Sequence, residues 1–401
     1  MATAAKDRQL DATVFSPNLS AVSLKEDFRI RRNRGGPWVD LGGVVTDCQW
    51  TDSAGPDASP VVEGSLSAIL PEGHLVGASP MLRDGDQVRL DVFWAGKWRE
   101  VWTTRVYEPE ATTDNSFSCT LYDDLYLLQQ TKTQMDFVKN KGRKKGWRAH
   151  EIVRALSERY RFPVGSIVRG TRYSSLRAPA DANLLDIIRL AYKRESEHTG
   201  RDYYVSWRNG KLSVLPVSTK NTPWHFSVHV QSASYAETRS ESFCTSLLMR
   251  CTIKENGKKV KVKMRVMNEK AITRYGYIEK SKVAKTPDNR PELKRMGQHL
   301  LARRMVPKRT VSFEHPGVAL IKAGEAARLT IEELGIRRTQ RTKEKQDQGL
   351  IILEQISHSL SAGSYSMSVT CRFDPFATRA DIIHGDHEAR VKKAKERAKK
   401  K

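Results

Sequence analysis

Cysteine is scarce in this chain, and what little there is carries no pattern. Cys48, Cys119, Cys244, Cys251 and Cys371 are scattered over 401 residues with no CxxC. An odd number of isolated thiols suggests neither a disulfide scaffold nor a zinc ribbon. Free thiols in a chain folded in reducing cytoplasm are the expectation. No apolar run approaches the roughly 20 residues that cross a bilayer, so no membrane span is expected. The opening MATAAKDRQLDATVF lacks an apolar signal core, and export by a signal peptide is not expected. GxxxxGK[ST] and GxGxxG are absent, which removes the usual nucleotide-binding signatures. GxSxG is absent too, so no hydrolase elbow is indicated. With 8% aromatic and 39% hydrophobic residues the chain can bury a sizeable core, and its length suggests about two to four domains.

Acidic residues are in deficit. Asp and Glu number 46 against 69 Lys and Arg, a net charge of +23. Such an excess implies an acidic partner or a nucleic acid. It concentrates in SLLMRCTIKENGKKVKVKMRVMNEK and in the tail ARVKKAKERAKKK, which holds Lys392, Lys393 and Lys395. In the first segment Leu247, Met249, Cys251 and Ile253 share one strand face. Val260, Val262, Met264 and Val266 continue it beyond Asn256-Gly257. Lys259, Lys261, Lys263 and Arg265 therefore project from the opposite face. Three readings stay open for that row: a solvated face guarding an edge, a protein interface, or a phosphate-binding surface.

The middle of the chain is the most patterned. In WRAHEIVRALSERYRFPVG, Ala149, Ile152, Val153, Leu156 and Tyr160 fall at helical spacing, and Pro163 and Gly165 end the helix. DANLLDIIRLAYKRES predicts a second helix with Asp181 as N-cap and Leu184, Ile187, Ile188 and Ala191 as its buried stripe. TGRDYYVSWRNGKLSVLP reads as a hairpin turning at Asn209-Gly210. The preceding KTQMDFVKNKGRKKG reads as a linker.

Both flanks read as strand. DFRIRRN, WVDLGGVVTDCQW, SLSAILPEG, a hairpin turning at Ala95-Gly96, and SFSCTLYDDLYLLQQT come before the middle segment. TPWHFSVHVQ, the lysine-rich hairpin, the stretch around Val311, EAARLTIEEL and a last hairpin at Ala362-Gly363 come after it, broken by the helix RPELKRMGQHLLARRM. Asp84-Gly85-Asp86-Gln87-Val88-Arg89-Leu90 is echoed by Ala323-Gly324-Glu325-Ala326-Ala327-Arg328-Leu329. In each, a turn with Gly and an acid precedes a strand.

Chemistry is thinly represented. His384, Asp386, His387 and Glu388 form one metal-ligand candidate set, and His225 with His229 on a shared strand face another. Surface or packing roles account for both more simply. No catalytic residue, metal or cofactor is expected.

The KGWRAHEIVRAL helix, the FPVGSIV break, the ANLLDIIRLAY helix and the TGRDYYVSWRNGKLSVLPV hairpin resemble, in order and pattern, the middle of the phage baseplate hub family. The members are late control protein D-like and tail hub proteins that join the tail tube to the puncturing spike. WVDLGG, DCQW, SLSAIL, RDGDQVRL and YDDLYLL extend the resemblance forward and SYSMSVTCRFDPF extends it back, over roughly residues 20–376. It implies an α+β, mainly β fold. Two related β-barrel domains (1–130 and 222–376) would flank a central small α+β module (143–218), followed by a basic C-terminal tail (377–401). It implies a homotrimeric structural protein of the virion, made in the host cytoplasm, that adapts a six-fold tail tube protein to a three-fold spike protein. A tape-measure protein and a baseplate wedge or LysM-like neighbour are further candidate partners. Genomic DNA would pass through the lumen without specific binding. The surfaces assigned to subunit contact are Trp94, Trp98 and Trp102, the row Lys259, Lys261, Lys263 and Arg265, and Lys392, Lys393 and Lys395. A basic nucleic-acid-binding protein and a hub-associated peptidoglycan hydrolase are the alternatives.

Overall fold

The computed structural model describes residues 28–41, 44–54, 59–69, 82–112, 116–138, 146–171, 175–217, 224–227, 229–255, 258–284, 287, 289–334, 336, 350–361, 364–373 and 383–384. The first region holds β1 (Phe28–Asn33), β2 (Val39–Asp40), β3 (Val45–Ser53), β4 (Glu63–Ile69), β5 (Gln87–Trp94), β6 (Lys97–Ala111), β7 (Ser116–Tyr122) and α1 (Leu125–Gln130). The middle holds α2 (Ala149–Tyr160), β8 (Val164–Ile167), α3 (Leu184–Thr199), β9 (Tyr203–Arg208) and β10 (Lys211–Pro216). The last region holds β11 (Trp224–Phe226), β12 (Gln231–Thr238), β13 (Ser246–Glu255), β14 (Lys258–Met267), α4 (Glu269–Tyr275) and β15 (Glu279–Val283). It continues with α5 (Arg290–Arg304), β16 (Lys308–His315), β17 (Ala326–Leu329), β18 (Leu350–Ser361), β19 (Ser364–Phe373) and β20 (Ile383–His384). The chain is α+β and mainly β, as its sequence predicts.

The two β regions are joined by hydrogen bonds into one sheet, ordered β12-β16-β19-β18-β3-β4-β7-β6-β5-β1-β2, with β11 and β17 branching from β18. β18 is the shared strand. Its stretch Gln355–Ser361 pairs with β3, while Leu350–Ile352 pairs with β17. Alternation explains which side chains face in: Val88, Leu90 and Val92 of β5 are buried, as are Tyr365, Met367, Val369 and Cys371 of β19. Two apolar cores result, one around Ile30, Leu66, Leu90 and Leu121, the other around Phe226, Phe313, Ile356 and Val369. Trp94 and Leu320 pack against both.

The short sequence echo is a real geometric repeat. Gly85 (φ +82°) and Gly324 (φ +84°) both sit in the left-handed region that glycine enters without strain. The Gly85 amide donates to the Val106 carbonyl at 2.9 Å, and the Val106 amide donates to the Asp86 carbonyl at 2.9 Å. Gly324 donates to Leu353 at 2.8 Å, and Leu353 donates to Glu325 at 3.0 Å. Each acid is also held by an arginine from a neighbouring element, Asp86 by Arg34 at 2.7 Å and Glu325 by Arg208 at 3.2 Å.

The middle segment builds a third core from both its helices, α1 and its own three strands. Asn209 (φ +50°) and Gly210 (φ +69°) make the predicted hairpin turn. Three details differ from the sequence reading. Asn183, not Asp181, caps α3: its Oδ1 accepts from the Asp186 amide at 2.7 Å, while Asp181 adopts φ +60° outside the helix. The FPVGSIV break contains a strand, β8, parallel to β10. The expected linker begins inside the core. Phe137 is fully buried and exchanges backbone hydrogen bonds with Leu176 at 2.7 and 2.8 Å. A buried Phe contributes roughly 1.5–3 kcal/mol, enough to hold a polar stretch that local pattern marks as loop. Residues 139–145 of that linker lie outside the described set. Sequence pattern also passed over β12, β15 and α4, which are short or polar.

The two β cores and the middle module meet at the segment before β17. Lys322 Nζ donates to the Val101 carbonyl of β6 at 2.7 Å, and the Ala323 amide donates to Asp52 Oδ2 of β3 at 3.0 Å. Tyr204 of β9 packs directly on Gly324, where a Cβ would lie 2.6 Å from its ring. Replacing Gly324 with Ala is expected to cost about 2–4 kcal/mol, from strain plus overpacking, read as a lower denaturation midpoint; an unchanged midpoint would contradict this junction. Nearby, buried Asp123 precedes α1 and its Oδ1 accepts from the Leu125 amide at 3.1 Å, but its Oδ2 has no hydrogen-bond partner. Burial raises its pKa well above the usual carboxylate range. A raised carboxyl pKa makes folding less favourable as pH rises through that value. Asp123→Asn should therefore be more stable relative to the parent at pH 8 than at pH 5, because burial penalises the Asp123 carboxyl only in its charged form. Thermal melts at the two pH values check the sign.

Candidate assembly surfaces

The tryptophan hairpin divides its three indoles between core and surface. At the β5–β6 turn, Ala95 (φ +50°) and Gly96 (φ +79°) reverse the chain. Trp98 pairs with Phe93 on the outer face, their rings 5.5 Å apart and edge-on. The Arg29 guanidinium stacks 4.1 Å above the Trp98 ring, and Phe93 is 43% exposed. Trp94 turns inward to both β cores. Trp102 is 5% exposed and meets Trp50 edge-on at 5.9 Å. Its assignment to subunit contact is therefore corrected: Trp102 is a core residue of its own chain. The cause is a register shift in β6. Leu90 pairs with Trp102 but Asp91 pairs with Glu100, so Val101 is an extra residue in the strand. One inserted residue swaps the faces of everything beyond it. Trp98 and Trp102 consequently point to opposite sides despite their even spacing.

Beside this patch, Asp91 is fully buried and clamped by two arginines, Arg31 Nη2 at 2.5 Å and Arg89 Nε at 2.7 Å. The clamp holds β1 to β5 on the face that presents Trp98.

The lysine-rich hairpin is built as its alternation predicts. Leu247, Met249, Cys251, Ile253, Val262 and Val266 are buried against Leu293, Met296, Leu300 and Leu301 of α5. Gly297 lets helix and sheet approach: a Cβ there would sit 3.0 Å from Met249. On the other face Lys259, Lys261 and Lys263 are exposed. Lys263 stands directly opposite Arg250 across the β13–β14 ladder, a like-charge pair that costs stability. Arg265 differs from the rest of the row. It is bound to Glu279 of β15, Nε to Oε2 at 2.5 Å, and Tyr277 and Ser246 also donate to that carboxylate. Burial opposes ionisation of Glu279, but the Tyr277 and Arg265 hydrogen bonds outweigh it and lower its pKa. β20 pairs antiparallel with Val266 and Met267 at the β14 edge. The chain thus leads to its basic tail from the sheet that carries the lysine row. Lys392, Lys393 and Lys395 lie outside the described residues, as do Asp386, His387 and Glu388 of the His384 set.

The second histidine pair is not a pair. β11 ends at Phe226, and His229 follows with φ +60°, so the two do not share a strand face. His225 Nε2 instead meets Thr330 Oγ1 at 3.0 Å. Among the described residues no group of three or more His, Cys, Asp or Glu is placed to hold a metal. No described helix is long and apolar enough to cross a membrane. All five cysteines are buried free thiols. Burial pushes Cys119 up to about 12 and Cys244 up to about 11, so neither is a ready nucleophile.

The architecture is that of phage tail proteins. It matches a tail protein from Neisseria meningitidis MC58 with a TM-score of 0.59 at 11% identity, covering 86% of this chain and 97% of that one. It also matches the 43 kDa tail protein of prophage MuSo2 from Shewanella oneidensis, with a TM-score of 0.54 at 12% identity and the same coverage, 86% and 97%. The chain belongs to the YQBQ-like family, which matches residues 64–372. Among relatives, it is 22% identical to the phage-like element PBSX protein XkdQ of Bacillus subtilis (strain 168) over 312 residues, 74% of this chain and 89% of XkdQ. It is 24% identical to YqbQ of the same strain over 231 residues, 55% and 65% of the two chains. The resemblance to phage tail and baseplate proteins drawn from the sequence therefore holds.

The placement of the two indoles is directly measurable. Trp102→Ala should destabilise by about 3–5 kcal/mol through cavity formation. Trp98→Ala should cost less than about 1 kcal/mol, as a surface change. Urea titration of both variants distinguishes them, and equal losses would refute the assigned faces.

Proposed function

We propose that this protein is the structural hub of a phage tail baseplate, a homotrimer that adapts the six-fold tail tube to the three-fold spike and forms part of the DNA channel. The observation that carries the reading is the internal repeat. Gly85-Asp86 against Val106 and Gly324-Glu325 against Leu353 are the same turn and the same ladder, once in each β region. A chain holding two related β domains presents six of them when three copies assemble, which meets a six-fold ring while keeping three-fold contacts for a spike. The domains are taken as 1–130 and 222–376, flanking the module 143–218, with 377–401 as a basic tail. The kinship with XkdQ of a phage-like element supports a place in the virion.

Function on this reading lies in interfaces and not in catalysis. Exposed Phe93 with half-buried Trp98 and Arg29 forms the subunit contact, since Trp and Arg are enriched among the residues that dominate interface energetics. Lys259, Lys261 and Lys263 face an acidic neighbour such as the tube, spike or a wedge protein, and Lys392, Lys393 and Lys395 add to that contact. The row stays off the lumen, because phosphate-binding lysines there would retard passing DNA.

Light scattering coupled to size exclusion tests the proposal. The expected mass is three times the 45.4 kDa of one chain for the protein alone, or three chains plus the bound partner on adding the tube or the spike protein. Phe93→Ala with Trp98→Ala should shift it toward monomer while circular dichroism stays unchanged. A persistent monomer, alone and with either added partner, would sink the hub reading.

A further inference from the structure

A cleft of about 360 Å³ lies between the middle module and α5, away from both surfaces described above. Three arginines line it from three separate segments: Arg169 after β8, Arg201 at the α3–β9 turn, and Arg295 on α5. All three are exposed, and none forms an ion pair among the described residues. Neighbouring arginines behave otherwise. Arg208 is paired with Glu325, Arg290 with Glu255, and Arg303 with Asp202.

The acids near the cleft are already engaged. Buried Glu195 accepts from both the amide and the hydroxyl of Thr171, at 2.8 and 2.5 Å. Glu292 lies 3.4 Å from His198, which also lines the cleft. His299 is fixed by shape. Gly200 (φ +75°) ends α3, and a Cβ there would fall 2.0 Å from the His299 ring. Module and α5 therefore meet without a gap beneath the arginines. The arrangement is an open, positively charged cleft with arginines supplied by a loop, a turn and a helix.

We propose that this cleft binds the carboxylates of an acidic peptide segment supplied by a partner protein. Arginine forks pair bidentately with carboxylates, and three arginines line this one cleft with no ion-pair partner among the described residues. The volume matches a few side chains and not a duplex. Tyr203, which also lines it, is half-buried and packs against the Tyr192 ring at 5.4 Å, so that ring is already engaged within the module. The proposal does not depend on the hub reading.

Fluorescence anisotropy of the full chain with a labelled, end-blocked hexaglutamate peptide tests it, at about 50 mM salt so that screening is modest. Arg201→Gln with Arg295→Gln should weaken binding by at least about tenfold, whereas Lys261→Gln with Lys263→Gln, an equal loss of charge on the lysine row, should change it less than about twofold. Circular dichroism establishes that both variants fold. Equal weakening by the two pairs, or no binding by the parent, would overturn the site, because the peptide would then be sensing net charge alone. Displacement of the peptide by inorganic phosphate at millimolar levels, or tighter cleft-dependent binding of oligothymidylate, would also overturn it by assigning the site to phosphate.

Discussion

Lys322 is the point on which the architecture turns. The extra residue Val101 in β6 directs its carbonyl to Lys322 Nζ, a bond between the two β regions. One residue later the Ala323 amide is spent on Asp52, and two residues later Gly324 receives Tyr204. Four consecutive positions, Lys322 to Glu325, thus bind the first β region, the second and the middle module. Burial raises the Asp52 pKa and lowers that of Lys322, while their mutual attraction works against both shifts. Groups taken out of water at this cost persist where they secure one specific arrangement.

The same inserted residue decides which aromatic side chains the protein can offer to others. Without it Trp98 and Trp102 would share a face. With it one indole fills the core and the other stacks under Arg29 on the outside. A single register change therefore both directs the Val101 carbonyl to Lys322 and sorts core from outer face. Charge is sorted in a comparable way. Arg265 is absorbed by Glu279, whereas Lys259, Lys261 and Lys263 remain exposed, with Arg250 set against Lys263.

Much of this was legible in advance, for identifiable reasons. The α2 and α5 helices and the hairpins at Ala95-Gly96 and Asn209-Gly210 declare themselves, because periodicity and positive-φ turn residues are local properties. The Gly85 and Gly324 echo was visible for the same reason. Asn183 displaced Asp181 as the α3 cap because capping depends on which side chain reaches the free amides, a distinction of two residues that pattern does not resolve. Phe137 falls in a stretch that local pattern marks as linker, because its neighbours are polar and basic. Its burial depends on Leu176, far along the chain. His225 and His229 separated because β11 stops at Phe226, where pairing with β17 ends.

By itself the sequence determined the class of structure, the faces of each regular hairpin, the positive surface and the absence of nucleotide-binding and hydrolase signatures, since these follow from composition and short-range spacing. Only the tertiary structure decided that the two β regions share β18, that Trp102 belongs to the core, and that Arg169, Arg201 and Arg295 converge on one cleft. Each of those depends on a register or a contact between residues distant in sequence, where a one-residue shift reverses every side chain beyond it.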